Sequence, residues 1–133
     1  MEVSHGCFTG KTKQFDALRL LWSQVSGYGV VDLREDGGPI MPNLDYRYVS
    51  EEDMLGEWPG GAPDDPLLIL LVHEERKGRI KVNHVPFLAD RLEEVEGRMY
   101  RNSTVTPTWV LLTQQFVRGL RTAAAYKQDI VFS

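Results

Sequence analysis

Asp64-Asp65-Pro66-Leu67-Leu68-Ile69-Leu70-Leu71-Val72-His73 is the stretch on which the reading of this chain turns. Six consecutive apolar residues, 67–72, stand between a turn signal and the charged run Glu74-Glu75-Arg76-Lys77-Gly78. So short an apolar run, with turn residues on both sides, predicts a central strand buried on both faces. The strand ends at His73, and a functional site is expected at that polar end. Beyond Gly78, Arg79-Ile80-Lys81-Val82 alternates as a half-buried strand. The two strands are expected to form a hairpin through the charged turn.

Upstream, residues 2–8 predict a short strand running into a turn at Gly10. Phe15, Leu18, Leu21, Trp22 and Val25 recur at three- and four-residue steps, which predicts a helix over 11–26 closed by Gly27. Leu20 falls on its polar side, so something is expected to cover it there. Residues 28–33 (YGVVDL) read as a strand. Residues 34–66 hold five of the seven prolines and five of the twelve glycines, a density that predicts turns and a long loop. Within it, residues 46–49 suggest an edge strand, and Ser50 with Asp53 makes a capping box for one helical turn.

Downstream, Leu88, Leu92 and Val95 predict a helix over 86–96 ended by Gly97. Thr106 as N-cap and Pro107 at the first helical position open a third helix, with the stripe Trp109, Leu112, Phe116, Leu120 and Ala123 or Ala124. Gly119 inside that helix costs up to about 1 kcal/mol relative to Ala, so a close approach of another helix is expected there. Residues 129–132 close the chain as a strand. The expected fold is α/β (α+β), a single domain over 1–133. It would be a small mixed sheet with about three helices, in the order β-α-β-loop-β-β-α-α-β.

Composition narrows the classes. The chain has 133 residues, enough to bury a core without staples. A net charge of −4 argues against general nucleic-acid binding, which would show a dominant basic stripe. One cysteine excludes an internal disulfide and fits a reducing compartment. No apolar run is long enough to span a bilayer, and the N-terminus lacks the basic start and apolar core of a leader. A cytoplasmic protein with no membrane association is the expectation, with a homodimer as the base-rate guess for assembly.

Three constellations carry chemistry. His5, Cys7, His73 and His84 are all the imidazoles and the one thiol. Four such ligands suit tetrahedral zinc, although their spacing is not diagnostic. Cys7 with His5 or His73 is also a candidate thiolate–imidazole pair, and backbone N–H groups of Gly6 or Gly10 would serve its oxyanion. The bland alternative is a cysteine packed as a small hydrophobe. Lys77, Arg79 and Lys81 share one face under period two; with Arg76 nearby, and Lys11 and Lys13 at a helix start, they form an anion cradle. Tyr28, Tyr46, Tyr48 and Trp58 offer faces on which a base would stack. The bland alternative is a solvated hairpin whose lysines guard a sheet edge. Gly6-Cys7-Phe8-Thr9-Gly10-Lys11-Thr12 has three residues between its glycines where a phosphate-binding P-loop needs four.

In size and composition the chain looks like the small accessory proteins of bacteria and their phages, which act by binding or sequestering something. The leading expectation is therefore a non-enzymatic domain that binds, and could sequester, a small anionic, nucleotide-like ligand, as in antagonism of host defence. Its contacts would be Arg76, Lys77, Arg79, Lys81, His73, Tyr46 and Trp58, with no cofactor. One alternative is a protein-interaction module or inhibitor acting through the long loop, with Tyr46, Tyr48 and Trp58 as anchors. The other is a Cys/His hydrolase or zinc protein built on His5, Cys7 and His73.

Overall fold

The computed structural model describes residues 1–133. It is a mixed α and β architecture in which helices build the core and short antiparallel ladders edge it. A first hairpin pairs β1 (Glu2–Val3) with β2 (Phe8–Thr9), its turn formed by His5 and Gly6 at positive φ. Helix α1 (Thr12–Val25) follows and buries Phe15, Leu18 and Trp22. A second hairpin pairs β3 (Val30–Asp32) with β4 (Ile40–Pro42). It packs against α1 and supplies the cover that Leu20 requires: Leu20 lines a cleft with Pro39, Ile40, Met41 and Pro42.

A 3-10 turn at Tyr46–Tyr48 stands where an edge strand was expected. The Asp45 side chain caps it by accepting from the Arg47 amide, a local bond that competes with extended backbone. Next comes α2 (Glu51–Met54), with the complete Ser50/Asp53 capping box that the sequence announces.

The decisive stretch is a helix and not a strand: α3 spans Leu67–Leu71. Asp65 begins it, accepting the Leu67 amide on its side chain and the Leu68 amide on its carbonyl. Pro66 already has helical backbone angles. Periodicity does not separate a short buried helix from a short buried strand. Asp-Pro followed by leucines, good helix formers, is a helix start. Leu67, Ile69, Leu70 and Leu71 are all buried, so a helix apolar all round sits at the centre.

The expected hairpin between residues 67–72 and 79–82 is consequently absent. Instead β5 (Arg79–Ile80) pairs with β6 (Ile130–Val131), the strand expected at the C-terminus. The β1–β2 and β5–β6 ladders meet through a bridge from Val3 to Phe132, and Glu2 and Ser133 exchange both backbone hydrogen bonds. Three two-stranded antiparallel ladders thus take the place of one mixed sheet. Helices α4 (Val85–Arg101) and α5 (Pro107–Ala125) form the largest helix pair. Gly97 does not end α4, because burial of Met99 carries the helix onward. No helix is long and apolar enough to cross a membrane.

The core centres on an aromatic cluster. Phe15 lies within 6.3 Å, centroid to centroid, of Phe8, Trp22, Phe116 and Phe132. Trp22 donates its indole N–H to Thr113 Oγ1 at 3.0 Å, and the Thr113 hydroxyl donates onward to the Trp109 carbonyl. Thr113→Val, nearly isosteric, would leave that buried donor unmade. The expected loss is about 1–3 kcal/mol of unfolding free energy, read by urea denaturation; an unchanged midpoint would refute it. Gly119 does need a close approach, but to the first hairpin rather than to a helix: a Cβ there would lie 2.8 Å from Cys7 Cα and N.

Candidate functional site

His73 lies two residues beyond the end of α3, in the core and only 1% exposed. Its ring stacks on Phe132 at 3.9 Å, and Nε2–H donates to the Lys77 carbonyl at 2.8 Å. Nδ1 is buried with no partner. Burial pushes the imidazole down to about 4, so it is neutral near pH 7. Its carbonyl accepts from Arg19 at 2.6 Å. His73 is a staple for the 74–78 loop, and not a ligand presented at a strand end.

The same loop is clamped from α2. Glu74 N–H donates to Met54 O, and Arg79 N–H donates to Leu55 O. Gly56 and Gly78, both at positive φ, let these backbones touch, since a Cβ on either would collide with the facing carbonyl.

The expected anion cradle is dispersed. Arg76 donates to Thr12 Oγ1 at 3.0 Å. Arg79 pairs with Asp129 at 3.4 Å, and Lys81 with Glu57 at 2.8 Å. Lys77 is exposed, and its contribution is the carbonyl that His73 bonds. Tyr46 lines a different cleft, of about 250 Å³, between α1 and the second hairpin. At the mouth of that cleft Arg19 binds both Asp16 (2.7 Å) and Glu75 (3.3 Å). The facing Asp16 carboxyl raises the Glu75 pKa. The mouth is filled by the protein's own charges. Of the residues expected to hold an anion, only Lys81 and Trp58 line one cleft.

The His/Cys set is equally scattered. His5 Nε2–H donates to Gln128 Oε1 at 2.7 Å and Nδ1 accepts from Ser4. Cys7 is fully buried against Gly119, and desolvation pushes its thiol up to about 12, far from a thiolate. His84 stands at the start of α4. Nowhere do three or more His, Cys, Asp or Glu side chains converge as a metal site.

What the fold does assemble is an aromatic cleft on the long loop, about 320 Å³, lined by Tyr28, Leu44, Tyr48, Val49, Trp58, Pro63, Leu68 and Val72, with Asn43 and Asp45. Leu68 on α3 and Val72, the residue that caps its C-terminal end, are one helical turn apart and form part of its lining. Tyr28 is held by donating to Asp65 at 2.5 Å; Asp65 also accepts from Arg91 Nε at 2.9 Å and from the Leu67 amide. Burial pushes the Asp65 carboxyl up, but these donors outweigh it and hold the group below the usual carboxylate range. The Arg47 guanidinium lies 5.5 Å from the centroid of Tyr48, which is 79% exposed. Trp58 has φ +45°, a costly conformation for a bulky residue, and its buried indole N–H has no partner.

Trp58 also walls a second, polar cleft of about 430 Å³ at the start of α4, shared with Glu57, Lys81, Asn83, His84 and Phe87. Tyr48 and Trp58 were legible as anchors, and Tyr28 as a stacking face. Leu44, Leu68 and Asp65 were missed; reading α3 as a helix would have offered Leu68 and Val72 as one face. Comparison of the chain with protein-family models, with curated proteins and with solved structures gives no match.

Proposed function

We propose that this protein is a non-enzymatic interaction domain whose 34–66 loop takes an apolar or aromatic side chain from a positively charged segment of a protein partner. The observation that carries this reading is the aromatic cleft, where Tyr28, Tyr48 and Trp58 converge over Leu68. Large amphipathic side chains around a pocket are the composition of binding anchors. The strain at Trp58 is consistent with a position kept for contact rather than for packing.

Charge names the partner. Glu51 and Glu52 follow the cleft residue Val49, and Asp64 follows Pro63. All three are exposed and none is in an ion pair. Carboxylates that flank the cleft residues along the chain favour a basic segment and repel an acidic one. Binding of this kind acts by sequestration, the role expected for a small chain without a catalytic motif.

The test is an amide-resolved NMR titration with two peptides, tryptophan flanked by lysines and tryptophan flanked by glutamates. The basic peptide is expected to shift the amides of Asn43, Leu44, Tyr48, Val49 and Leu68, and the acidic one to leave them in place. Tyr48→Ala, at an exposed position, is expected to weaken the basic peptide about tenfold or more without loss of stability. Equal shifts from both peptides, or none from either, would overturn the reading.

A further inference from the structure

We propose that this protein forms a two-fold symmetric dimer with a second copy of its own chain, through the outer face of α4, with the two helices crossing antiparallel at Gly97. This face is separate from the loop cleft above, and none of its residues lines that cleft.

Asp90, Glu94, Gly97 and Arg101 follow one another at steps of four, three and four residues, so they share one stripe of α4. They line an open groove against α5 that holds no apolar side chain. Along the stripe the order is acid, acid, glycine, base. Glu94 and Arg101 stand about 5 Å to either side of the point between Gly97 and Arg98. An antiparallel copy therefore sets its Arg101 against Glu94 and its Glu94 against Arg101, two identical ion pairs about one axis. Within one subunit these charges are not used up. Arg121 takes Asp90 and Glu93, whereas Arg98 and Arg101 are in no ion pair. Glu94 has only a 3.6 Å contact with Arg91, which already holds Asp65.

Gly97 is the independent observation. It lies in the interior of a 17-residue helix, where glycine lowers helix stability relative to alanine. Nothing inside the subunit requires it there: a Cβ would meet only the Arg101 guanidinium, at an ordinary 3.6 Å. Gly119, by contrast, is needed by the Cys7 backbone packed against it. The missing side chain of Gly97 lets a second backbone come close where the charge order reverses. Tyr100, three residues on and 78% exposed, flanks the crossing and supplies the aromatic anchor that a seam of charges lacks.

Sedimentation equilibrium of the full chain over about 1 μM to 1 mM tests this. A monomer–dimer equilibrium is expected, weakened by salt because the paired charges lie at the surface. Glu94→Arg and Arg101→Glu, both at exposed positions, should each weaken the dimer about tenfold or more, since each sets like charges opposite one another. An equimolar mixture of the two variants should regain it. One is then basic at both positions and the other acidic at both, so every contact is attractive. Gly97→Ala should weaken the dimer while raising the thermal midpoint of the monomer, the opposite of a folding defect. Tyr48→Ala should leave the dimer unchanged, which separates this face from the loop cleft. A monomer at every concentration, a dimer that survives both charge reversals, or two variants that stay monomeric when mixed would overturn the proposal.

Discussion

Gly56→Ala is expected to cost about 4 kcal/mol or more, enough to leave the protein largely unfolded. Gly56 has φ +85°, where an L side chain is strained by about 1–2 kcal/mol. Steric overlap costs more than this strain. A Cβ at Gly56 would land on the carbonyl oxygen of Arg79, inside any permitted contact, and 3.4 Å from the His73 ring. Relief requires parting α2 from the 78–79 backbone. That breaks the hydrogen bond from Arg79 N–H to Leu55 O and loosens the loop that His73 staples. Gly60→Ala is the control: nothing lies within 4 Å of its added Cβ, and a change within about 0.5 kcal/mol is expected. Chemical denaturation of the two variants decides it, and similar stabilities for both would refute the close approach.

His73 should make stability fall as the solution is acidified from about pH 6.5 to about pH 4. In the unfolded chain its imidazole titrates near 6.5, whereas in the fold burial holds it down to about 4. Between those values the unfolded state carries a proton that the folded state does not, so each step down in pH favours unfolding. The full loss attributable to His73 is about 3 kcal/mol, complete near the folded value and absent above about pH 7. The physical reason is Nδ1, buried without a partner beside the Phe132 ring. His73→Leu removes the titration while keeping an apolar side chain. Its starting stability is lower, because the bond to the Lys77 carbonyl is gone, but its stability curve should be flatter over that range. Parallel curves for the two proteins would show that His73 takes up its proton without opening the fold.

What the sequence by itself determined was local. The stripe from Phe15 to Val25, the Ser50/Asp53 box and the Thr106-Pro107 start are signals a few residues long, and each produced the element it announced. The class, α and β mixed, followed from them. Tertiary structure decided what no local signal carries. Residues 67–72 are apolar enough for either a strand or a helix; helices α1 and α4 pack against Leu67–Leu71, and Asp65 starts that stretch as α3 by accepting the Leu67 amide. Gly97 was a legible breaker overruled by burial of Met99, and Gly119 a legible contact whose partner, Cys7, lay more than a hundred residues away. The same holds for the sites. Tyr48 and Trp58 were visible as aromatic residues, but their meeting with Tyr28 and Leu68 depends on α3 being a helix. Arg79 and Lys81 were visible as cations, but which acids neutralise them depends on where Asp129 and Glu57 are carried by the chain. Backbone preference and capping act over a few residues and can be read in order; charge pairing and cleft formation act through space, and only the packed chain fixes them.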